Sequence, residues 1–475
     1  MITIIYIAYF IVTLLAIVNL ILFGTRPSKS VSWVLIIVMI PFVGAFLYVM
    51  VGINRRKYKF LTLRQTKKLQ RYDEKHKKPS LKGQIDTSPL LKKHKRLIDL
   101  VIKNSKYRPF DGNKLEVFYK GKDVFDEIFK SIEKAKHFIH IQFYIFEEGE
   151  ILNKLYELLK IKVSEGVEIR IIYDAIGSYA LTNKSIRKFK KIGVEVHPIM
   201  PLKIGRILFT INYRNHRKII VIDGQIAFTG GMNVSDKYIK ANSELGIWYD
   251  VHLSIKGPAV QSLQQIFSKD FFLASNSDML HQSKYFPVVL NQGKSIVQVV
   301  SSGPDSDFAA VMQQYLMLIT QAEKCVYIAN SYFIPGVVIL EAIKLAALSG
   351  IDVKLLVPDK SDNRFVKYSM FSYFDEMLAS GIKIYLYKST FLHSKVIIVD
   401  DEIASVGTGN FDNRSFEQNF EVNTLIYDKE VANAMKNHFL ADCDKSILIK
   451  EETFSKRPLI KKMIEGVARI FSPLL

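Results

Sequence analysis

Two long apolar runs without a charged side chain open the chain. Ile2 to Phe23 carries only Thr3, Thr13 and Asn19 as clearly polar positions, and Val31 to Ile53 carries Ser32, a mid-run Pro41 and the small Gly44 and Gly52. Each exceeds the ~20 residues a helix needs to cross a bilayer. Only Gly24 to Ser30 joins them, so the pattern predicts a two-helix transmembrane hairpin with spans at about 2–23 and 31–53. The first run lacks the basic leader and the A-x-A-like cleavage site of a signal peptide.

From about Asn113 the pattern changes to short β-branched and aromatic runs alternating with amphipathic segments. Phe138 to Ile145 reads as a strand. Leu152 to Ser164 reads as a helix with apolar positions at Leu152, Leu155, Leu158, Leu159 and Val163, stopped by Gly166 before the strand Glu168 to Tyr173. The same rhythm returns in Val326 to Phe333, Val338 to Leu348, Gly350 and Ile351 to Val357. Gly166 and Gly350 stand 184 residues apart, Asp174 and Asp359 185, and Gly193 and Gly381 188. Matched elements at a near-constant offset imply a duplicated α/β domain. The expected organisation is a hairpin over 1–54, a basic linker over 55–110, a first α/β domain over 111–290 and a second over 291–475.

Charge sharpens this division. The net charge of +20 is concentrated in residues 55–110, which hold 19 Lys and Arg against Asp73, Glu74, Asp86 and Asp99, while the 365 residues beyond carry only +3. A nearly neutral body lacks the basic stripe that tracks phosphates, which argues against a nucleic-acid partner. The cluster beginning Arg55-Arg56-Lys57 directly follows the second apolar run, so the positive-inside rule puts the body on the cytoplasmic side of a multi-pass membrane protein. Anionic lipid head groups would attract that collar. The two cysteines, Cys325 and Cys443, cannot build a disulfide framework or a Cys-rich metal site.

Each half then carries the same constellation. The first is His216-Arg217-Lys218 with Asp223 and, six residues on, Gly230-Gly231-Met232-Asn233; the second is His393-Ser394-Lys395 with Asp400 and, six residues on, Gly407-Thr408-Gly409-Asn410. On an extended segment alternate side chains share a face, so His216 points with Lys218 and His393 with Lys395. Two such faces meeting would surround one cavity with two imidazoles, two ammonium groups and two carboxamides, a set suited to a phosphodiester. One imidazole can attack phosphorus while the other protonates the departing oxygen. No metal or other cofactor is needed, and the sequence shows no ligand cluster for one.

The duplicated H-x-K-x4-D resembles that of the phospholipase D superfamily, and the whole chain is similar to its bacterial cardiolipin synthases. Asn212 to Lys218, Asn410 to Phe416 and the terminal Ser472-Pro473-Leu474-Leu475 support the resemblance. It implies two tandem phospholipase D-like α/β domains facing across one active site. The implied reaction takes phosphatidylglycerol to cardiolipin and glycerol through a phosphohistidine, with His216 as nucleophile and His393 as general acid, then base. A membrane-bound hydrolase or another transphosphatidylase is the alternative. Lys218, Lys395, Asn233 and Asn410 would grip phosphate oxygens, and a homo-oligomer is compatible with the resemblance.

Each histidine needs an orienting carboxylate. Glu421, in Asn419-Phe420-Glu421-Val422-Asn423, matches the family pattern in the second half. Asp250, in Trp248-Tyr249-Asp250-Val251-His252, is its counterpart in the first, with Glu244 as a rival on spacing. Each acid is thereby expected to serve the histidine of its own half. Asp223 and Asp400 complete the catalytic motifs but read as braces of the motif backbone. His140, His197 and His252 read as core or supporting residues. The apolar stretch Ile199 to Phe209 would either dip into the membrane interface or pack in the core. The stripe Leu459, Ile460, Met463, Ile464, Val467, Ile470 and Phe471 would either dock on the body or lie on a membrane.

Overall fold

The computed structural model describes residues 2–23, 27–40, 42–52, 88–201, 212–241 and 244–472. Ile2–Phe23 forms one helix. The second run is not one helix: Pro27–Met39 and Val43–Leu47 are followed by a π-helical turn, Tyr48–Gly52. The interruption flanks Pro41, which lacks the N–H that a helix interior requires. Ala16, Leu20, Trp33, Ile37, Ala45 and Tyr48 pack together between the segments, and the Tyr48 hydroxyl donates to Asn19 Oδ1 at 2.9 Å. Among the described residues no helix is long and apolar enough together to qualify as a membrane span, although Ile2–Phe23 runs 22 residues without a charged side chain. The basic cluster from Arg55 lies outside the described residues, as do 202–209 of the apolar stretch before the first motif.

Among the described residues the body is organised around a sheet of 15 strands. The first lobe supplies β1 (Phe110–Phe118), β2 (Phe138–Phe143), β3 (Glu168–Asp174), β4 (Glu195–Ile199), β5 (Ile219–Ile222), β6 (Ile226–Gly230) and β7 (His252–Lys256). The second supplies β8 (Ser295–Ser302), β9 (Cys325–Asn330), β10 (Asp352–Pro358), β11 (Lys383–Tyr387), β12 (Lys395–Val399), β13 (Ile403–Gly407), β14 (Glu421–Tyr427) and β15 (Ile447–Leu448). Their spatial order is β15-β11-β10-β9-β12-β13-β14-β8-β1-β7-β6-β5-β2-β3-β4. Outward from the β8–β1 pair the two halves repeat the same sequence of strands, and β15 is an addition on one edge. The duplication read from the offsets is thus a pseudo-twofold through a shared sheet.

Local chemistry explains the repeat. The helices Glu150–Ser164 and Gly336–Leu348 each bury one face, Ile151, Leu152, Leu155 and Leu159 in the first and Ile339, Leu340 and Ile343 in the second. Gly166 and Gly350 follow at φ of 86° and 90°. Open space surrounds both positions, so the left-handed backbone rather than crowding demands glycine there. At the seam, buried Asn113 bridges an irregular β1–β8 register. Its Nδ2 donates to the Phe110 and Ser295 carbonyls at 2.7 and 3.2 Å, and its Oδ1 accepts from Ala259 N at 2.9 Å.

Part of the expected basic linker is folded. Pro89–Lys93 and Lys95–Ser105 are helices whose Leu91, Leu97, Ile98 and Val101 sit in the second lobe's core with Val311 and Leu318. Their apolar face was hidden in the sequence by the density of lysines around it. The chain therefore touches the second lobe before it builds the first.

Candidate active site

Both histidines stand where a loop enters a motif strand, at the meeting of the lobes. His216 N donates to Phe420 O at 2.9 Å, and Phe420 N to Arg214 O at 2.9 Å; on the other side His393 N donates to Tyr249 O at 2.7 Å, and Tyr249 N to Phe391 O at 3.0 Å. These bridges lay each histidine against the segment that carries the carboxylate of the opposite lobe.

The carboxylates are consequently exchanged. Glu421, from the second lobe, accepts from His216 Nδ1 at 3.0 and 3.1 Å, and Asp250, from the first, accepts from His393 Nδ1 at 2.6 Å. This corrects the pairing expected within each half. Sequence spacing relates positions along one lobe, whereas this contact is created by the bridges between lobes. Glu244 stands in an exposed turn, where its carbonyl accepts from Lys360 Nζ at 2.9 Å. With Nδ1 of each ring committed to a carboxylate, Nε2 is the nitrogen left for chemistry.

The acids are fixed in turn. Glu421 also accepts from the Thr408 hydroxyl at 2.5 Å and from Asn419 Nδ2 at 3.2 Å. Asp250 accepts from Val251 N at 2.8 Å. Burial pushes both acids up. The charges of Lys395 and His393 outweigh it at Asp250, those of His216 and Lys218 at Glu421, and both groups are held below the usual carboxylate range.

The two motif lysines are fully buried. Lys218 Nζ donates to His216 O at 2.8 Å and lies 5.4 Å from the centre of the Tyr144 ring. Lys395 donates to the His393 carbonyl and stands 3.8 Å from Asp250 Oδ2. Burial pulls Lys218 down to about 7, with Glu421 resisting and Lys395 adding to the fall. Burial likewise lowers Lys395 against the pull of Asp250 and Glu421. Each histidine is lowered by burial, and each feels the lysine of the other lobe. The two histidines and two lysines of the two lobes thus form one electrostatic unit with the buried carboxylates. Asn233 Oδ1 accepts from Ile145 N at 3.2 Å while its Nδ2 donates to the Tyr238 hydroxyl at 3.4 Å, and Asn410 Oδ1 accepts from Ser331 Oγ at 3.1 Å.

Asp223 and Asp400 lie at the far ends of their strands. Asp223 accepts from the backbone N–H groups of Lys136, His137 and Phe138 at 2.7–2.8 Å, and Asp400 from those of Glu323, Lys324 and Cys325 at 2.7–3.1 Å. Both carboxylates are spent on turns. Among the described residues no cluster of three or more His, Cys, Asp or Glu is arranged to hold a metal ion.

Sequence reasoning missed the supports beneath the site. Buried Arg217 makes a two-point contact with Asp270 at 2.7 and 2.8 Å, and its other nitrogens donate to Ser301 Oγ, Ser302 O and Glu421 O. One guanidinium therefore ties the first motif to β8 and β14 of the other lobe. Asp270 also accepts from Asn215 and Gln142. The only signal was an arginine alternating with two motif residues, which points it to the opposite face. Tyr238 places its hydroxyl 3.3 Å from His393 Nδ1. His140 is stacked between Phe138 and Phe267, and buried His252 has neither ring nitrogen bonded.

A duplicated α/β sheet with paired histidines, lysines and crossed carboxylates defines a phospholipase D-type site. The model of the cardiolipin synthase, PLD-like domain matches residues 128–271 and 315–443, and that of the phospholipase D-nuclease N-terminal region matches 11–52. A cardiolipin synthase of Listeria monocytogenes serotype 4b is 38% identical over 452 residues, covering 94% of each chain. One of Geobacillus thermodenitrificans is 38% identical over 456 residues, covering 95% of this chain and 89% of its own. The crystal structure of phosphatidylserine synthase from Haemophilus influenzae superposes with a TM-score of 0.60 at 15% identity, over 81% of this chain and all of that one. The chain belongs to the cardiolipin synthase family of phospholipase D-like phosphatidyltransferases.

Proposed function

We propose that the paired motifs transfer a phosphatidyl group between two phosphatidylglycerol molecules. His216 Nε2 attacks phosphorus of the first lipid, a phosphohistidine bond forms, and the bond to the glycerol head group breaks. His393 delivers a proton to the departing glycerol oxygen. It then takes the proton from a head-group hydroxyl of the second lipid, whose oxygen attacks phosphorus, releasing His216 and cardiolipin. The observation that carries this reading is the crossed pair of histidine–carboxylate contacts around two buried lysines. His216 is given the nucleophile's role because the family takes it from the first motif and because its side chain is the more open, 12% exposed against 7% for His393. Burial holds His393 toward the neutral form, and the arriving phosphodiester charge raises it toward the imidazolium that the leaving oxygen needs. Lys218, Lys395, Asn233 and Asn410 hold the phosphate oxygens.

The apolar runs are read as a membrane hairpin, with the body on the cytoplasmic side. The outer surfaces of Ile2–Phe23 and Pro27–Met39 expose Phe10, Leu15, Ile21, Val38 and Met39, which water would penalise and acyl chains would not. Purified protein on phosphatidylglycerol vesicles tests the transfer. Cardiolipin and glycerol should appear in equal amounts; phosphatidic acid in place of cardiolipin would show hydrolysis instead.

A further inference from the structure

The C-terminal helix Leu459–Ile470 is laid on the second lobe with its polar side inward. Glu465 and Ala468 are its buried residues. Glu465 accepts from Arg457 at 2.6 and 2.8 Å, and the same guanidinium grips Asp375 at 2.7 and 2.8 Å. Arg469 donates to Glu376 at 2.5 Å and to Ser372 O at 3.1 Å. Beyond the helix, the Ser472 hydroxyl meets that of Tyr373 at 2.7 Å, and Ser472 O accepts from Asn413 Nδ2 at 3.3 Å. Asn413 is three residues past Asn410 of the second motif.

This docking turns the apolar stripe outward. Leu459, Ile460, Met463, Ile464, Val467 and Ile470 are 41–74% exposed, the reverse of a helix whose apolar face covers a core. Lys456, Lys461 and Lys462 are exposed beside them. A chain of contacts also links the helix to the second motif. Tyr332 lies 6.2 Å from the His393 ring and donates to Asp362 at 2.6 Å. Asp362 directly precedes Asn363, the cap of the helix Arg364–Phe371, and Phe365 of that helix meets Phe471 at 6.0 Å.

We propose that Leu459–Ile470 is a docking helix that lies in the head-group boundary of an anionic leaflet and holds the paired motifs against the lipid they consume. An outward apolar stripe flanked by lysines matches acyl chains beneath anionic head groups. A second copy on the same face would bring lysine against lysine. The inference rests on the phosphatidyl-transfer reading for its substrate, and it adds a second attachment, on the catalytic lobe itself, to that of the amino-terminal hairpin.

The test uses the full chain in vesicles. Cys325 and Cys443 are both buried, so Val467→Cys offers an accessible thiol for a polarity-sensitive dye. In phosphatidylglycerol vesicles the emission should shift to the blue and be quenched by nitroxide-labelled acyl chains; in phosphatidylcholine vesicles both effects should be weaker. Met463→Asp/Val467→Asp should leave turnover of a short-chain, monomeric phosphatidylglycerol unchanged while raising the apparent KM on long-chain vesicles about tenfold. A dye that stays in water on anionic vesicles, an emission shift that follows protein-to-lipid ratio without quenching, or a wild-type KM in the double variant would each overturn the proposal. Failure of the wild type to make cardiolipin would instead strike the transfer reading, and the dye would still report docking.

Discussion

Glu421→Gln is the substitution that probes the crossed site most directly. Three donors converge on this carboxylate: His216 Nδ1–H, the Thr408 hydroxyl and Asn419 Nδ2. A carboxamide offers them one oxygen and brings two N–H groups of its own. Either a buried donor goes unsatisfied, at about 1–3 kcal/mol, or the His216 proton moves to Nε2 and removes the lone pair that, in the proposed transfer, attacks phosphorus. The charge that steadies the developing imidazolium is also lost, worth about 4 kcal/mol at ~4 Å and an effective dielectric near 20. Both effects act on one step and do not add fully, so turnover should fall by about 10³- to 10⁴-fold.

The assay is rapid quench of radiolabelled phosphatidylglycerol with the protein, reading covalently held lipid alongside cardiolipin. Whichever of His216→Ala and His393→Ala abolishes the covalent species, its effect should be copied by the acid of the opposite lobe: Glu421→Gln for His216, Asp250→Asn for His393. If the acid of the same lobe copies it, or if Glu421→Gln retains turnover within tenfold of wild type, the crossed arrangement does not operate in the working enzyme.

Arg217→Met leaves Asp270 buried without its counter-charge and should cost about 3–5 kcal/mol, read as a lowered thermal midpoint in detergent; Arg217→Met/Asp270→Leu should recover much of it, and no recovery would mean that the ion pair is not the staple. Gly231→Ala places a Cβ 2.1 Å from Asp250 Oδ1; it should push that acid off His393 and lower turnover at least a hundredfold, with about 1–3 kcal/mol of strain, whereas normal activity would show that Asp250 has room to spare. Burial lowers both His140 and His252 to about 3, with the Gln264 bond and the Asp250 charge respectively opposing the fall. Because these folded values lie below the unfolded 6.5, the unfolded chain binds more protons between pH 6.5 and 3, and stability falls as pH falls through that window. Each contributes about 2 kcal/mol of loss at pH 5. His252→Leu should therefore show a smaller drop in thermal midpoint from pH 7 to pH 5, and an unchanged drop would exclude His252 as a source.

The duplicated sheet was legible because helix and strand periods and glycine stops recur at nearly one offset and each half then carries a matching motif. What was not legible were contacts that no offset encodes. Asp250 and Glu421 stand out in sequence as acids beside a strand, but the bridges from His216 to Phe420 and from His393 to Tyr249 decide which ring each one meets. The helices within 88–105 were obscured for a different reason: Leu91, Leu97, Ile98 and Val101 are a sparse stripe in a lysine-rich segment, and only tertiary packing on the second lobe makes that stripe a core face. For the C-terminal helix the periodicity was plain and its direction was not, since an apolar stripe fits a core and a bilayer equally well. The ion pairs of Arg457 and Arg469 settle which side of the helix meets the protein.

The exchange of carboxylates has a consequence for how the two halves diverge. In a site where each lobe equipped its own histidine, one lobe could drift while the other kept its ring oriented. Here the first motif depends on Glu421 and Thr408, and the second on Asp250 and the space left by Gly231, so a change in either lobe is felt by the ring of the other. The matched positions differ in a complementary way: the shorter acid stands beside glycine, and the longer one is held by a threonine hydroxyl. Arg217 reinforces the dependence by joining the first motif to Ser301, Ser302 and the Glu421 carbonyl. Each ring is thus tuned in part through residues that lie across the seam, and the joint sheet at β1 and β8 is what keeps those residues in reach.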